Sequence, residues 1–271
     1  MVEQDESPER GAHYVQSLER GLAVIRAFTA ATPALTLTDV AKSTGLTRAG
    51  ARRFLLTLAD LGYVRTDGKY FSLTARVLEL GYAFLSSMSL PDVAQPHLER
   101  LSGEVRESTS ASVLDGSDVV YVARFAVSRI MAVSITVGTR FPAYATSMGH
   151  VLLAGLPAAE LDRYLDTVRL EPLTSHTITS PERLRAELDE VRIQGWALVD
   201  QELEEGLRSV AAPIRDRAGR VIAAVNVSTH ASRTGLDRIR REIVPPLLAA
   251  CEGIEKDLVG DPRPDVGPQG R

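Results

Sequence analysis

The chain has a single cysteine, Cys251, in 271 residues. It can form neither an internal disulfide nor a thiolate metal cage, and a reducing, cytoplasmic setting is expected. No apolar run approaches the ~18 residues that a membrane span needs, so no membrane partner is expected. Residues 1–11 are acidic and polar and do not read as a signal peptide. An overall positive charge is also missing. Lys and Arg number 31 against 35 Asp and Glu, a net charge of −4, which excludes a globally basic protein but not a local basic patch. The five histidines, His13, His97, His150, His176 and His230, are scattered, with no pair at metal-ligand spacing. There is no glycine-rich phosphate loop, and Ser147-Met148-Gly149 lacks the upstream glycine of a nucleophile elbow. No cofactor is expected. A small-molecule enzyme with an N-terminal docking module remains the competing reading, but it needs a nucleophile–base pair that the sequence does not offer.

With 44% apolar and 24% charged residues the bulk of the chain is globular. Residues 1–12 and 261–271 are polar, proline-bearing tails. Between them the texture changes near Leu90-Pro91. Residues 13–73 read as short helices and a tight hairpin, 74–89 as a linker helix, and 90–260 as an α+β domain. Val15, Leu18, Leu22, Ile25 and Phe28 fall on one face of a first helix. Thr38 is placed to cap a short second helix over 39–43, and Thr47 a third, whose apolar face is Ala51, Phe54, Leu55, Leu58 and Leu61. A β-hairpin follows, with Asp67-Gly68 at its turn. In the linker helix Val77, Leu78, Leu80, Tyr82, Phe84 and Leu85 cover more than one face, which suits packing against a second copy of the chain.

The segment 37–55 is a helix-turn-helix pattern with Gly45 in the turn, and the hairpin supplies a wing. Candidate DNA contacts are Thr38, Thr47, Arg48, Ala49, Gly50, Arg52, Arg53, Thr57 and, at the wing tip, Lys69. Small residues let the backbone approach DNA, and arginine forks suit guanine edges or phosphate oxygens. Between 42 and 76 seven basic residues face only Asp60 and Asp67, a local excess of five positive charges on an acidic protein. The bland alternative is an ordinary helical pair with a solvated basic face.

In the second part, helices are expected over 92–106, 147–153, 158–167, 181–194 and 236–259, the last entered or kinked at Pro245-Pro246. Hairpins are expected over 110–125 and 210–227, and further strands over 130–137 and 196–199. The natural result is an antiparallel sheet with helices against it. Ser147, Met148 and Gly149 open a helix whose free N–H groups could take a carboxylate. Asn226 and Ser228 share a strand face. Arg124 and Arg129, at strand ends, could pair with an acid ligand, and the acidic turn with Asp200 and Glu204 could line or gate the same pocket. Each has a structural alternative: helix capping, a solvent-facing strand, an internal ion pair, a solvated loop.

These residues together resemble the IclR (isocitrate lyase regulator) family of bacterial transcription factors over about 14–259. The resemblance rests on Ser17-Leu18-Glu19-Arg20-Gly21-Leu22, Gly62-Tyr63-Val64, Ala145-Thr146-Ser147-Met148-Gly149, Gly195-Trp196-Ala197-Leu198-Val199-Asp200-Gln201-Glu202, Gly206-Leu207-Arg208-Ser209-Val210-Ala211-Ala212-Pro213 and Asn226-Val227-Ser228. Within the family, Ser128-Arg129-Ile130-Met131-Ala132-Val133-Ser134, Val137-Gly138-Thr139-Arg140 and Pro142-Ala143-Tyr144 are most similar to regulators of the β-ketoadipate pathway of protocatechuate and p-hydroxybenzoate breakdown. His150 departs from that pattern, where a basic residue such as Arg is expected. The resemblance implies a winged helix-turn-helix and a GAF-like effector domain with an antiparallel sheet. It also implies a double-stranded DNA operator, a small organic acid as effector, dimers through the N-terminal domain or tetramers on DNA, and Ser209 among the effector contacts.

Overall fold

A computed structural model describes residues 13–80, 90–127 and 135–260. Both expected tails, most of the linker helix and the segment carrying Arg129 lie outside the described residues. The chain divides into two compact units, residues up to 84 and residues from 85 onward.

In the first unit, α1 (Gln16–Arg26), β1 (Ala34–Thr36), α2 (Leu37–Thr44) and α3 (Arg48–Asp60) are followed by the hairpin β2 (Val64–Thr66) and β3 (Tyr70–Leu73). The small sheet has the order β1-β3-β2, all antiparallel. Strand β1 was not expected: three residues carry no period of their own, and they become a strand only by pairing Leu35 with Phe71. This displaces the start of α2. The cap is Thr36, not Thr38: the Asp39 N–H donates to the Thr36 hydroxyl at 3.3 Å, and the Thr36 N–H donates to the Asp39 carboxylate at 3.0 Å, a reciprocal capping box. The Thr36 hydroxyl, which donates to the same carboxylate at 2.7 Å, and then the Thr36 N–H hold the Asp39 carboxyl below its usual range. Thr38 therefore sits inside the first turn, exposed. Thr47 caps α3 as expected, accepting the Gly50 N–H at 3.1 Å. The core joins Val24, Phe28, Val40, Ala51, Leu55 and Phe71. Four residues of the expected apolar faces are not in it. Leu61 is exposed past the end of α3, and Val15, Leu18 and Leu22 leave the outer face of α1 in solvent.

In the second unit, α4 (Leu90–Val105) precedes the hairpin β4 (Ser108–Asp115) and β5 (Asp118–Phe125). Then come β6 (Arg140–Pro142), α5 (Ser147–Ala154), α6 (Ala158–Thr167), α7 (Pro181–Gln194), β7 (Ala197–Asp200), β8 (Leu207–Arg215) and β9 (Val221–His230). The sheet has six strands in the order β6-β5-β4-β9-β8-β7. The strand expected over 130–137 is not found in its described part. Residues 135–139 are irregular around Gly138 at φ +87°, and pairing with β5 falls to β6, where Arg140 bonds Asp115 at 2.6 Å and Asp118 at 3.1 Å. The closing helix is α8 (Leu236–Arg238), a wide π turn (Ile239–Ile243) and α9 (Val244–Gly260). Pro245 and Pro246 have no N–H to donate, and the helix widens in the turn just before them, where the Val244 N–H donates to the Ile239 carbonyl.

Alternation along the strands gives the sheet two unlike faces. Ala111, Val113, Val210, Ala212, Val225 and Val227 pack with Leu98, Leu101, Leu247 and Ile254 of α4 and α9. Cys251 belongs to this core; burial pushes its thiol pKa far up, and it is inert packing. On the opposite face Tyr121, Ala211 and Ala224 pack with α5 and α7 through Met148, Leu152, Leu184 and Leu188. Between them that face turns polar.

Candidate nucleic-acid interface and ligand pocket

The left-handed turn at Gly45, φ +67°, lets α2 and α3 meet closely enough to bury Val40 against Ala51. That packing faces Ala51, Leu55 and Leu58 inward, so Arg48, Ala49, Arg52, Arg53 and Thr57 form one exposed strip, with Gly50 half-buried at its edge. No carboxylate pairs with Arg48, Arg52 or Arg53 among the described residues. Thr57 turns its hydroxyl back onto the Arg53 carbonyl at 2.9 Å. At the wing tip the Asp67 carboxylate accepts the N–H groups of Tyr70 and Lys69 at 2.8 and 2.9 Å, which lowers its pKa and shapes the turn. Lys69 lies over the exposed Tyr70 ring at 5.1 Å. One member of the basic segment is spent internally: Arg76 donates to the Leu61 carbonyl at 3.0 Å and stacks on Tyr63. Thr38, Thr47, the α3 strip and Lys69 are thus all at the surface of this unit.

The pocket of the second unit is built across strands. Arg124 pairs in register with Ser110, and Ser110 with Asn226; one step along, Ser108 pairs with Ser228 and Ser228 with Ser209. Directly opposed residues share a face, so these side chains form a polar patch on the α5 side of the sheet. The α5 N-terminus meets it. Thr146 caps the helix, accepting the Gly149 N–H at 3.1 Å. The resulting pocket is lined by Thr146, Ser147, Ser209, Asn226, Ser228 and Tyr121, with Ala145, Val199, Leu203 and Leu207 as apolar wall. Among the described residues two of its polar atoms are unsatisfied: Ser147 Oγ and Asn226 Oδ1 are buried with no hydrogen-bond partner, although Asn226 Nδ2 donates to Ser228 at 3.1 Å. Such atoms cost free energy unless something else pairs with them. Burial pushes the Tyr121 hydroxyl up to about 12, so it is a neutral phenol here.

Of the ten effector candidates, Ser147, Ser209, Asn226 and Ser228 come together. Arg124 stands beside them, half-buried, and donates to the Ser110 hydroxyl at 3.3 Å. Burial lowers its pKa. Met148 and Gly149 do not line the pocket. Met148 is core, and a methyl group on Gly149 would overlap the Ala143 carbonyl, so that glycine sets how closely α5 approaches the preceding turn. Asp200 points away, in a two-pronged pair with Arg208 at 2.9 and 2.7 Å. Glu204 is outside the pocket lining. Arg129 lies outside the described residues. His150 is core as well. It is fully buried, donates Nε2–H to the Tyr144 carbonyl at 2.7 Å, and burial drops its pKa to about 4. It is therefore neutral, and the position would be costly for an arginine in this chain. Sequence reasoning missed Tyr121, Val199, Leu203 and Leu207. For Tyr121, Val199 and Leu207 the alternation along β5, β7 and β8 is a legible signal, but it marks a buried face and not a cavity; Leu203 is in the loop before β8 and carries no such pattern.

A winged helix-turn-helix with an unpaired basic helix, followed by an α+β domain with a polar pocket, defines a DNA-binding transcriptional regulator that answers to a small molecule. Residues 17–68 match the IclR helix-turn-helix domain and residues 82–256 match the bacterial transcriptional regulator IclR C-terminal domain. The chain belongs to the IclR family of bacterial transcriptional regulators, and the enzyme reading falls. It is 46% identical over 248 residues to the Pca regulon regulatory protein of Pseudomonas putida, covering 91% of this chain and 85% of the relative. A crystal structure of a transcriptional regulator from Rhodococcus sp. RHA1 shares 59% identity at a TM-score of 0.82, covering 91% of this chain and 99% of that one. An IclR homologue from Microbacterium hydrocarbonoxydans, complexed with 4-hydroxybenzoate, shares 28% identity at a TM-score of 0.80, covering 90% and 100%.

Proposed function

We propose that this regulator controls genes of aromatic-acid catabolism through the β-ketoadipate pathway and that its effector is a small carboxylic acid bound in the pocket of the second unit. The observation that carries this is the pair of unsatisfied buried atoms, Ser147 Oγ and Asn226 Oδ1, in one pocket at a helix N-terminus. A carboxylate at the start of α5 meets the Ser147 hydroxyl, the free N–H groups of the first turn and a favourable helix field. A hydroxyl on the same ligand donates to Asn226. Arg124, with no carboxylate partner among the described residues, supplies a cation on the same face. The resemblance to a Pca regulon regulator and to a 4-hydroxybenzoate complex supports the same chemistry.

In the DNA half, α3 enters the major groove with Arg48, Arg52 and Arg53 toward bases and phosphates, while Thr38, Thr47, Ala49, Gly50, Thr57 and Lys69 complete the contact surface. The protein acts as a homodimer or tetramer on an inverted repeat in the cytoplasm. The exposed apolar face of α1, with Val15, Leu18 and Leu22, is the surface a second copy covers. The linker over 74–89 joins the two units.

Calorimetric titration of the full chain with 4-hydroxybenzoate, protocatechuate and β-ketoadipate tests the effector reading. Saturable binding of one of them, lost in Asn226→Ala and Ser147→Ala, supports it. No binding to any of the three overturns it.

A further inference from the structure

The wall of the ligand pocket at Leu203 and Leu207 hangs from a loop over 201–206 that is fastened from outside. The Thr174 hydroxyl donates to the Gln201 carbonyl and the Thr177 hydroxyl to the Glu202 carbonyl, both at 2.6 Å. The Ile178 N–H donates to Glu202 Oε2 at 3.2 Å. Within the loop, Gln201 holds a left-handed φ of +64°, and its side chain accepts the Gly206 N–H at 2.9 Å. The backbone is thus held in a strained form by bonds that converge on two residues.

Glu202 is the odd member of this set. Its side chain is buried, with 8% of the residue exposed. It has no ion pair among the described residues. The charges that face it are Glu187 and Arg183 of α7 and Asp200 of β7, and Asp200 is already paired with Arg208. One amide N–H does not offset the lost hydration of a carboxylate, and two acids oppose one unpaired cation. Burial accordingly raises its pKa to about 7.

We propose that Glu202 is a positioning residue for the ligand pocket: while neutral it latches the 201–206 loop to the 174–178 segment, and ionisation releases the latch, loosening the wall formed by Leu203 and Leu207. The latch stands on these bonds and on the burial of Glu202 without a counter-ion among the described residues; its consequence for effector entry rests on the function proposed above.

Amide hydrogen exchange of Ile178 in the full chain, corrected for intrinsic rates, tests the latch between pH 6 and 8.5. In the unaltered protein its protection falls severalfold across that range, while that of the core amide of Val225 does not. Glu202→Gln keeps the acceptor without the ionisation, and its Ile178 protection stays flat. Thr177→Val, which removes one strap bond and leaves the carboxyl, lowers protection at every pH and keeps the slope. Equal slopes in the unaltered protein and Glu202→Gln, or loss of the slope in Thr177→Val, overturn the proposal. A second arm measures the association rate of 4-hydroxybenzoate: it rises with pH in the unaltered protein and is flat in Glu202→Gln. Failure of 4-hydroxybenzoate to bind either protein counts against it as the effector, while the exchange data still decide the latch.

Discussion

Two buried ionisable side chains pull stability in opposite directions with pH. Glu202, with its pKa raised from 4.5 to about 7, contributes stability that is full below about 4.5 and is lost as the pH rises through 7. His150, lowered from 6.5 to about 4, contributes stability present above 6.5 and lost as the pH falls through 4. Glu202→Gln should therefore melt above the unaltered protein at pH 8 and together with it near pH 4.5, a difference that scanning calorimetry reads directly. On the DNA side, single arginines of α3 have separate signatures. Removing one that reads a base should cost ~1–3 kcal/mol and relax base preference, whereas Lys69→Ala should lower the salt slope by about one. Mobility-shift titrations at several salt concentrations distinguish the two. Wild-type binding by both Arg52→Ala and Arg53→Ala would remove the assigned contacts.

Helix ends carry the element-scale predictions. Thr36 rather than Thr38 starts α2, so Thr36→Ala should cost about 1 kcal/mol, a drop of about 4–8 °C in the midpoint of a small unit, and Thr38→Ala almost nothing. Thermal melting of the two variants side by side checks this. The threonine-x-x-aspartate box was present in the sequence, but so was Thr38. Only the pairing of β1 with β3, which draws 34–36 into a strand, decided between them. Helix α5 is positioned by a close approach. Gly149→Ala should destabilise the second unit by about 1–3 kcal/mol, because the methyl group meets a backbone carbonyl that cannot swing aside. The limits of α6 and α7 were readable to the residue because Pro157, Ser180, Pro181 and Gly195 punctuate them locally. The third strand expected over 130–137 had apolar content but no local signal of which partner it would join.

At the scale of the whole molecule, the dimer proposed above rests on the outer face of α1. Val15, Leu18 and Leu22 are 44–63% exposed, although their spacing marks them as an interior face. Leu18→Glu should shift the full chain toward monomer in analytical ultracentrifugation and weaken binding to a two-half-site operator far more than to a single half-site. Unchanged mass and affinity would overturn the proposal that a second copy covers this face. Periodicity could find the face but not its occupant, since a buried helix face and a subunit interface obey the same pattern.

The sequence by itself determined the main helices and hairpins, the helix-turn-helix with its basic strip, and the polar residues of the pocket. These rest on interactions within a few positions along the chain: caps, turns, periodic apolar faces and a local charge excess. Tertiary structure alone decided which of those polar residues meet. Cross-strand register brought Ser209, Asn226 and Ser228 to the start of α5 and tied Asp200 to Arg208, while the packing of α5 and of the 201–206 loop sank His150 and Glu202 below the surface. Register and burial depend on segments far apart in the chain, and no local pattern encodes the distance between them.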